Sequence, residues 1–455
     1  MARIRQSDLI DLWRTIEQAG GVQPYVQAQL VERGFVVQRR EMDQMSDREK
    51  ETYKKSLKAE ADERRKLSRQ AWAAHKATHI VHLGEGIFWA DGRGPDKWDL
   101  PNAEARAAEN ELPPLNSAGQ LAEALGLTVP ELRWLTYHRD VASTIHYVRF
   151  TIPKRDGSER AIWAPMPKLK EAQRWILRNI VEKLLVHGSV HGFLAGRSTL
   201  TNAAAHNDPD LVVKVDIKDF FPTVTLPRVK GVFRKAGYRE EVATLLALLC
   251  TESPREVVVH DGKTYYVALG PRCLPQGAPT SPALTNTLGL QLDRRLAGLA
   301  RKLNWRYTRY ADDLTFSLPA GHNGPPRVGT LLGSIRRIVE EEGFKIHPQK
   351  TAVARSGGQQ RITGLVVNGD GPPRVPRDFK RRLRAAIHNR LQGKSGPAGE
   401  SLSNLLGWAA YVHMTDPVAG AKYLAELARL DGLEGIAPAM SADGPELSES
   451  NGDQV

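Results

Sequence analysis

Cysteine is nearly absent: Cys250 and Cys273 are the two found in 455 residues. They stand too far apart for a zinc knuckle and are too few for a disulfide framework, so a cystine-stapled fold is excluded and a reduced, cytoplasmic compartment is expected. Long apolar runs are lacking too. No stretch approaches the roughly eighteen residues of a membrane span, and the first nine residues hold no apolar core of signal-peptide length, so a soluble protein with no membrane partner is expected. There is no P-loop and no His-Glu-x-x-His, and Gly92-Arg93-Gly94 lacks the third glycine of a dinucleotide fingerprint. ATPase, zinc-hydrolase and Rossmann chemistry therefore have no support. Acidic residues are in deficit: 64 Lys and Arg face 52 Asp and Glu, for a net charge of +12 and a pI near 9.6. Phosphate-rich partners are the economical explanation of such an excess.

The acidic residues that are present fall in a telling pattern. Tyr310-Ala311-Asp312-Asp313 lies between two short β-rich segments and reads as a hairpin with a tight acidic turn. Adjacent carboxylates repel each other, so they either stay solvated or expect a cation. A second acidic position lies upstream, where the β-branched run 211–217 carries Asp216 near its end. Brought side by side in one sheet, these carboxylates are suited to hold two Mg²⁺ ions about 4 Å apart and to drive in-line nucleotidyl transfer. That is polymerase chemistry.

The flanking segments sharpen this reading. Leu274-Pro275-Gln276-Gly277-Ala278-Pro279-Thr280-Ser281-Pro282, Gly343-Phe344-Lys345-Ile346-His347-Pro348-Gln349-Lys350-Thr351 and Arg361-Ile362-Thr363-Gly364-Leu365 follow in the order expected of a reverse transcriptase palm. More narrowly, the chain resembles bacterial retron reverse transcriptases. Asn202-Ala203-Ala204-Ala205-His206 is similar to their Asn-Ala-x-x-His signature, and Ile362-Thr363-Gly364 to their Val-Thr-Gly, with Ile for Val as the departure. The resemblance covers roughly residues 147–430. It implies an α+β right-hand polymerase, with fingers, an antiparallel-sheet palm with helices, and a helical thumb, preceded by a mainly helical N-terminal extension.

On this basis residues 1–115 are the extension and linker, 116–210 the fingers with a retron-type insertion, 211–372 the palm, 373–436 the thumb and 437–455 a disordered polar tail. A long charged helix starts at Ser46, with Glu49 completing a capping box and Glu51/Lys55, Glu60/Arg64 and Asp62/Lys66 as i,i+4 pairs; a solvated helix is the simplest reading. Residues 79–89 read as a small strand and turn, 91–114 as an irregular loop, and 147–162 as a basic hairpin. Helices are expected over 117–138, 169–185, 240–249, 282–303, 326–342, 375–391 and 401–430.

The resemblance also implies roles. Asp216 and Asp312 would be the bridging ligands of two Mg²⁺ ions, with Asp313 weaker and the Ile217 carbonyl completing the shell. Lys154 and Arg160 would meet the dNTP triphosphate, Asp219 would orient it through its backbone amide, and Phe221 would act as the sugar gate that rejects a 2′-hydroxyl. Gln276 and Gly277 would lie under the incoming base pair, and Lys350 would protonate the departing pyrophosphate. Asn202 and His206 are spaced i,i+4, so on a helix they would share one face, where a polar pair could cap or bind phosphate, a satisfied structural histidine being the commoner outcome for such a match; the resemblance puts them, with Thr363 and Gly364, in contact with RNA. The expected partners are a cognate structured noncoding RNA and its DNA copy, dNTPs, and a separately encoded effector protein in phage defence. The rivals are a group II intron or diversity-generating reverse transcriptase and a catalytically silent RNA-binding defence scaffold.

Overall fold

The structure, a computed structural model, describes residues 5–80, 82–89, 96–153, 157, 159–322, 325–369, 371–394, 396 and 400–429. Lys154 and the tail 437–455 lie outside them. The fold is α+β with antiparallel sheets, and the chain divides into two compact units: Met1–His187 with Asp219–Leu290, and Gly188–Lys218 with Gln291–Val455. Among the described residues no helix is long and apolar enough to cross a membrane.

In the first unit the charged segment forms a 32-residue helix, Asp47–Thr78. Ser46 and Glu49 close the capping box, which satisfies two backbone N–H groups that the first turn leaves open. Glu51–Lys55 and Glu60–Arg64 pair as their spacing predicts, whereas Lys66 turns to Glu63 and Asp62 to Arg65. Partners three residues away are as reachable as those four away. Nor is the helix solvated all round. Leu67, Ala71 and Ala74 form an apolar stripe buried with Ile16, Val26 and Leu30 of the helices Gln6–Gln18 and Val22–Glu32.

Other expectations in this unit are corrected by local chemistry. Residues 79–89 hold a turn at Glu85-Gly86 and no strand among those described. The expected loop over 91–114 contains the helix Ala103–Glu109, because its alanine-rich run has helix propensity that the neighbouring proline and glycine do not cancel. The helix expected over 117–138 divides into Ala118–Ala124 and Val129–Thr136, and that over 169–185 ends at Asn179. The basic hairpin forms as read, Tyr147–Pro153 against Glu159–Pro165, with Ile152 opposite Arg160. Glu240–Cys250 is buried along almost its whole length, as a helix apolar all round must be.

The second unit is built on a four-stranded antiparallel sheet in the order Arg306–Tyr310, Asp313–Pro319, Pro209–Asp216, Ala352–Arg355. Val212, Val213 and Val215 of the inner strand are all buried, so both of its faces are covered. One cover is a core shared with the helices Arg377–Leu391, Leu402–His413 and Pro417–Ala428, in which Val212, Ile362 and Leu365 meet Leu383, Ile387, Leu405 and Leu427. The single helix expected over 401–430 breaks where Asp416 caps the next one through the Ala419 N–H. The segment 282–303 is likewise two helices, Ser281–Leu288 and Leu290–Lys302.

One ion pair fixes the outer hairpin of this sheet. Arg309 and Asp293 are both 0% exposed, and they bond through Nε and Nη2 to the two carboxylate oxygens at 2.8 and 2.7 Å. Tyr307 donates its hydroxyl to the same carboxylate at 2.7 Å, and Arg309 Nη1 reaches the Ala311 carbonyl at 3.2 Å. Such a pair is held by its completeness, since a lone guanidinium at this depth has no solvent to fall back on. We predict that Asp293→Ala lowers the unfolding free energy by about 3–5 kcal/mol. A urea titration reads this as a lower midpoint at constant slope; an unchanged midpoint would show that Arg309 finds another acceptor.

Candidate catalytic site

Register brings two of the acidic residues together. Asp216, the last residue of the inner strand, is the direct cross-strand partner of Asp313, the first residue of the strand that follows the turn. Ala311-Asp312 forms that two-residue turn, with Tyr310 paired to Asp313 and Ala311 at φ 56°. A left-handed alanine is strained by roughly 1 kcal/mol, and the Arg309 guanidinium on its carbonyl helps to hold it. Ile217 donates its N–H to the Asp312 carbonyl at 2.9 Å, so the end of one strand is tied to the turn of the other.

The electrostatics follow from this packing. Burial, then the charges of Asp312 and Asp216, hold the Asp313 carboxyl above its usual range, against the pull of Lys214 and Lys350. Lys350 supplies the nearest cation: its Nζ lies 3.0 and 3.2 Å from the two oxygens of Asp216. Among the described residues no three His, Cys, Asp or Glu side chains converge into a ready cage for a metal. The donor set nevertheless suits hard divalent cations. It is all oxygen, the neighbouring charges raise the proton affinity of Asp313, and Asp216 already holds a positive charge.

The loop that precedes the inner strand buttresses the same turn. Val190 bridges to Arg309, His191 donates to the Arg309 carbonyl at 2.9 Å, and Arg309 donates to Ser189 at 2.8 Å. At Gly192 an added Cβ would stand 2.8 Å from the Ala311 nitrogen, so no larger residue fits against the turn. None of Ser189, Gly192, Asp293 or Arg309 stands out in the sequence. A lone Arg beside an acidic turn reads as surface charge, and its buried partner sixteen residues away has no pattern to announce it.

The two signature motifs touch each other. Asn202 Nδ2 lies 3.5 Å from Thr363 Oγ1, which in turn donates to the Thr199 carbonyl at 2.9 Å. Thr363 and Gly364 form the turn between the short strands Arg361–Ile362 and Leu365–Val366, with Gly364 close against the Tyr411 hydroxyl. Asn202 and His206 do not share a helix face as their spacing suggests, because the helix Thr199–Ala204 ends first. Both are 0% exposed. The His206 ring lies between two sheet hydroxyls, Ser317 Oγ at 2.6 Å and Thr308 Oγ1 at 2.7 Å. Its geometry is that of a residue that seats the motif on the sheet.

The remaining candidates belong to the first unit. Gln276 accepts the Trp163 N–H through its carbonyl at 2.7 Å, which joins its loop to the strand that carries exposed Arg160. Gly277 sits at φ 119°, and an added Cβ there would lie 2.8 Å from the Trp163 carbonyl oxygen. Only glycine permits this approach. Asp219, at φ 49°, precedes the short helix Phe220–Thr223, where the half-buried Phe221 ring lies 6.0 Å from that of Phe220.

Residues 152–374 match the family described as reverse transcriptase (RNA-dependent DNA polymerase). Over 446 residues the chain is 54% identical to the retron Mx162 reverse transcriptase of Myxococcus xanthus, covering 96% of this chain and 92% of that one. It is 45% identical over 319 residues to the retron Mx65 reverse transcriptase of the same organism, covering 70% and 73%. With the retron Ec86 reverse transcriptase of Escherichia coli it shares 30% identity over 329 residues, covering 72% and 93%.

The burial of His206 has a pH signature. Desolvation, with Arg306 and His191 adding, pushes its pKa from 6.5 down to about 3. Between these values the unfolded chain takes up a proton that the folded chain refuses, so stability falls as pH drops below 6.5, by at most about 1.4 kcal/mol per pH unit. We predict that His206→Gln flattens the fall in stability between pH 7 and pH 5 by about 2 kcal/mol relative to the parent. Urea titrations at both pH values measure it; equal slopes would place the His206 ring in contact with water.

Proposed function

This chain belongs to the bacterial retron reverse transcriptases, which are RNA-directed DNA polymerases, and from that premise we propose that it copies part of its own structured noncoding RNA into a small single-stranded DNA left branched to the RNA. The observation that carries the reading is the pairing of Asp216 with Asp313 at the end of two neighbouring strands, with Asp312 in the adjoining turn. Reverse transcriptases use divalent metal ions. Asp216, Asp312 and Asp313, with the Ile217 carbonyl, would hold two Mg²⁺ ions, which when bound activate the priming hydroxyl and neutralise the triphosphate.

The other roles fall to side chains already placed. Lys350 gives a proton to the pyrophosphate as it leaves, a task that suits a protonated amine beside carboxylates. Arg160 meets the triphosphate with the forked geometry a guanidinium offers to phosphate, joined by Lys154. The Asp219 amide orients the triphosphate, and the Phe221 ring excludes the 2′-hydroxyl of a ribonucleotide. Gln276 and Gly277 form the floor beneath the new base pair. Asn202, His206, Thr363 and Gly364 shape the surface that receives the cognate RNA, the two buried residues acting through their exposed neighbours Ala204 and Asn207. Priming from a 2′-hydroxyl within that RNA, and service in phage defence with a separately encoded effector, complete the reading.

Expression of the protein with its flanking locus tests it. The expected result is an abundant small DNA joined to RNA by a 2′,5′ linkage, sensitive to debranching enzyme and lost with Asp216→Asn or Asp312→Asn, while both variants keep the parental melting temperature within a few degrees. If no such DNA forms while the purified parent extends arbitrary primed templates, the priming proposal fails; extension by both Asn variants would sink the carboxylate assignment. Separately, Phe221→Ala is expected to raise ribonucleotide use relative to deoxyribonucleotide. An unchanged ratio in steady-state assays would make that ring a packing residue.

A further inference from the structure

The first unit contains a cleft of about 1230 Å³ that the polymerase chemistry does not use. Trp13, Trp72, Trp89, His75 and His79 line it. Trp72, His75 and His79 form a parallel column, with ring centroids 5.1 and 4.5 Å apart and planes within 8° and 3°, and Trp13 meets both imidazoles edge-on. The column ends at Trp72, whose indole is 52% exposed. Such a ring is available to stack on a flat or cationic group.

Charge decides which kind of group. The cleft is lined by the carboxylates of Glu17, Asp96, Asp99, Glu123, Glu240 and Glu241, against two guanidiniums, those of Arg14 and Arg239. Both arginines are engaged, Arg14 by Asp11 and Arg239 by Glu104. Asp99, Glu240 and Glu241 hold the walls together through the Glu240 N–H, Lys230 and the Ala118 N–H. Glu17 and Glu123 are exposed and make no ion pair among the described residues. In a chain of net charge +12 this is a negative island. Nucleic-acid phosphates would be repelled there, and a cation attracted.

A third observation concerns size. The volume exceeds the roughly 300–1,000 Å³ of an ordinary small-molecule site and suits several residues of extended chain. Indole is the best of the aromatic faces for a guanidinium, which also pairs with carboxylates. We propose that this cleft docks a basic, arginine-bearing segment of a partner protein, taken up by the exposed indole of Trp72 and the carboxylates of Glu17 and Glu123. Apart from Arg239, Glu240 and Glu241, its lining precedes the residues matched by the polymerase family. Docking there is therefore separable from synthesis.

The test uses the full chain and three probes: the capped peptide Gly-Arg-Gly-Arg-Gly, the same peptide with citrulline for arginine, and a short oligouridine. Calorimetry and tryptophan fluorescence should show the arginine peptide binding one to one and the citrulline peptide not. Trp72→Ala, and separately the Glu17→Gln/Glu123→Gln pair, should each weaken the arginine peptide about fivefold, what a cation–π contact at an exposed ring is worth. Primer extension and melting temperature should stay at parental values, since all three positions are exposed. Equal binding of the two peptides, or unchanged affinity in both variants, overturns the proposal. Loss of oligouridine affinity in Trp72→Ala, with the peptide unaffected, overturns it in favour of a base-stacking site.

Discussion

Mutual repulsion among Asp216, Asp312 and Asp313 is the constraint that the second unit is built around. Two of these residues face each other across the ladder, the third is next in the chain, and burial strengthens their repulsion by removing water. A sheet edge or free loop would relieve the strain by letting them part. Here the separation is denied on every side. The Ile217 N–H holds the Asp312 carbonyl, ladder pairs fix Asp216 to Asp313, and the loop 189–192 closes on the turn from outside. Behind the turn stands the buried Asp293–Arg309 pair, bonded through both carboxylate oxygens and tied to the turn by the Ala311 carbonyl.

The acidic set itself was legible in the sequence because its chemistry and its local structure coincide. The β-branched run before Asp216 and the short β-rich segments on both sides of Tyr310-Ala311-Asp312-Asp313 are strand and hairpin signals, and whether the two meet is what the sequence leaves open. The sheet order answers it. The capped long helix and the basic hairpin were legible for the same reason, since each is specified by neighbours within a few positions.

What stayed hidden depends on burial, which composition does not report. Arg309 and His206 are polar residues in polar surroundings along the chain, yet both end with no solvent contact, one against a carboxylate and one between two hydroxyls. Asn202 and His206 carried the right motif and the wrong geometry. Their i,i+4 spacing implies one helix face, but the helix stops at Ala204 and the His206 ring turns inward to the sheet. The helix inside 103–109 was obscured by its flanks, and the break near residue 289 by an apolar pattern that continues across it, whereas the breaks near 125 and 415 carry local signals in Gly126 with Thr128-Val129-Pro130 and in Asp416-Pro417. A hydrophobic period records which face is buried, and two short helices that bury the same face produce nearly the same record as one long helix.

Lys350 links the resting arrangement to the chemistry. Its ammonium spans both oxygens of Asp216, so any other cation drawn to that carboxylate competes with it for the same lone pairs. A divalent cation is favoured in that competition by charge and by geometry: an ammonium on a four-carbon stem, half exposed, is displaced without moving backbone, whereas the carboxylates cannot follow it. A lysine released in this way stays within reach of the acidic set, and under the proposed function it would carry the proton that a departing pyrophosphate needs. The same side chain thus relieves the repulsion at Asp216 in this structure, and under the proposed function it would become free when a divalent cation takes over that task. The rigid carboxylates and the mobile ammonium are complementary parts of one device, and the buried ion pair behind the turn is what keeps the rigid part rigid.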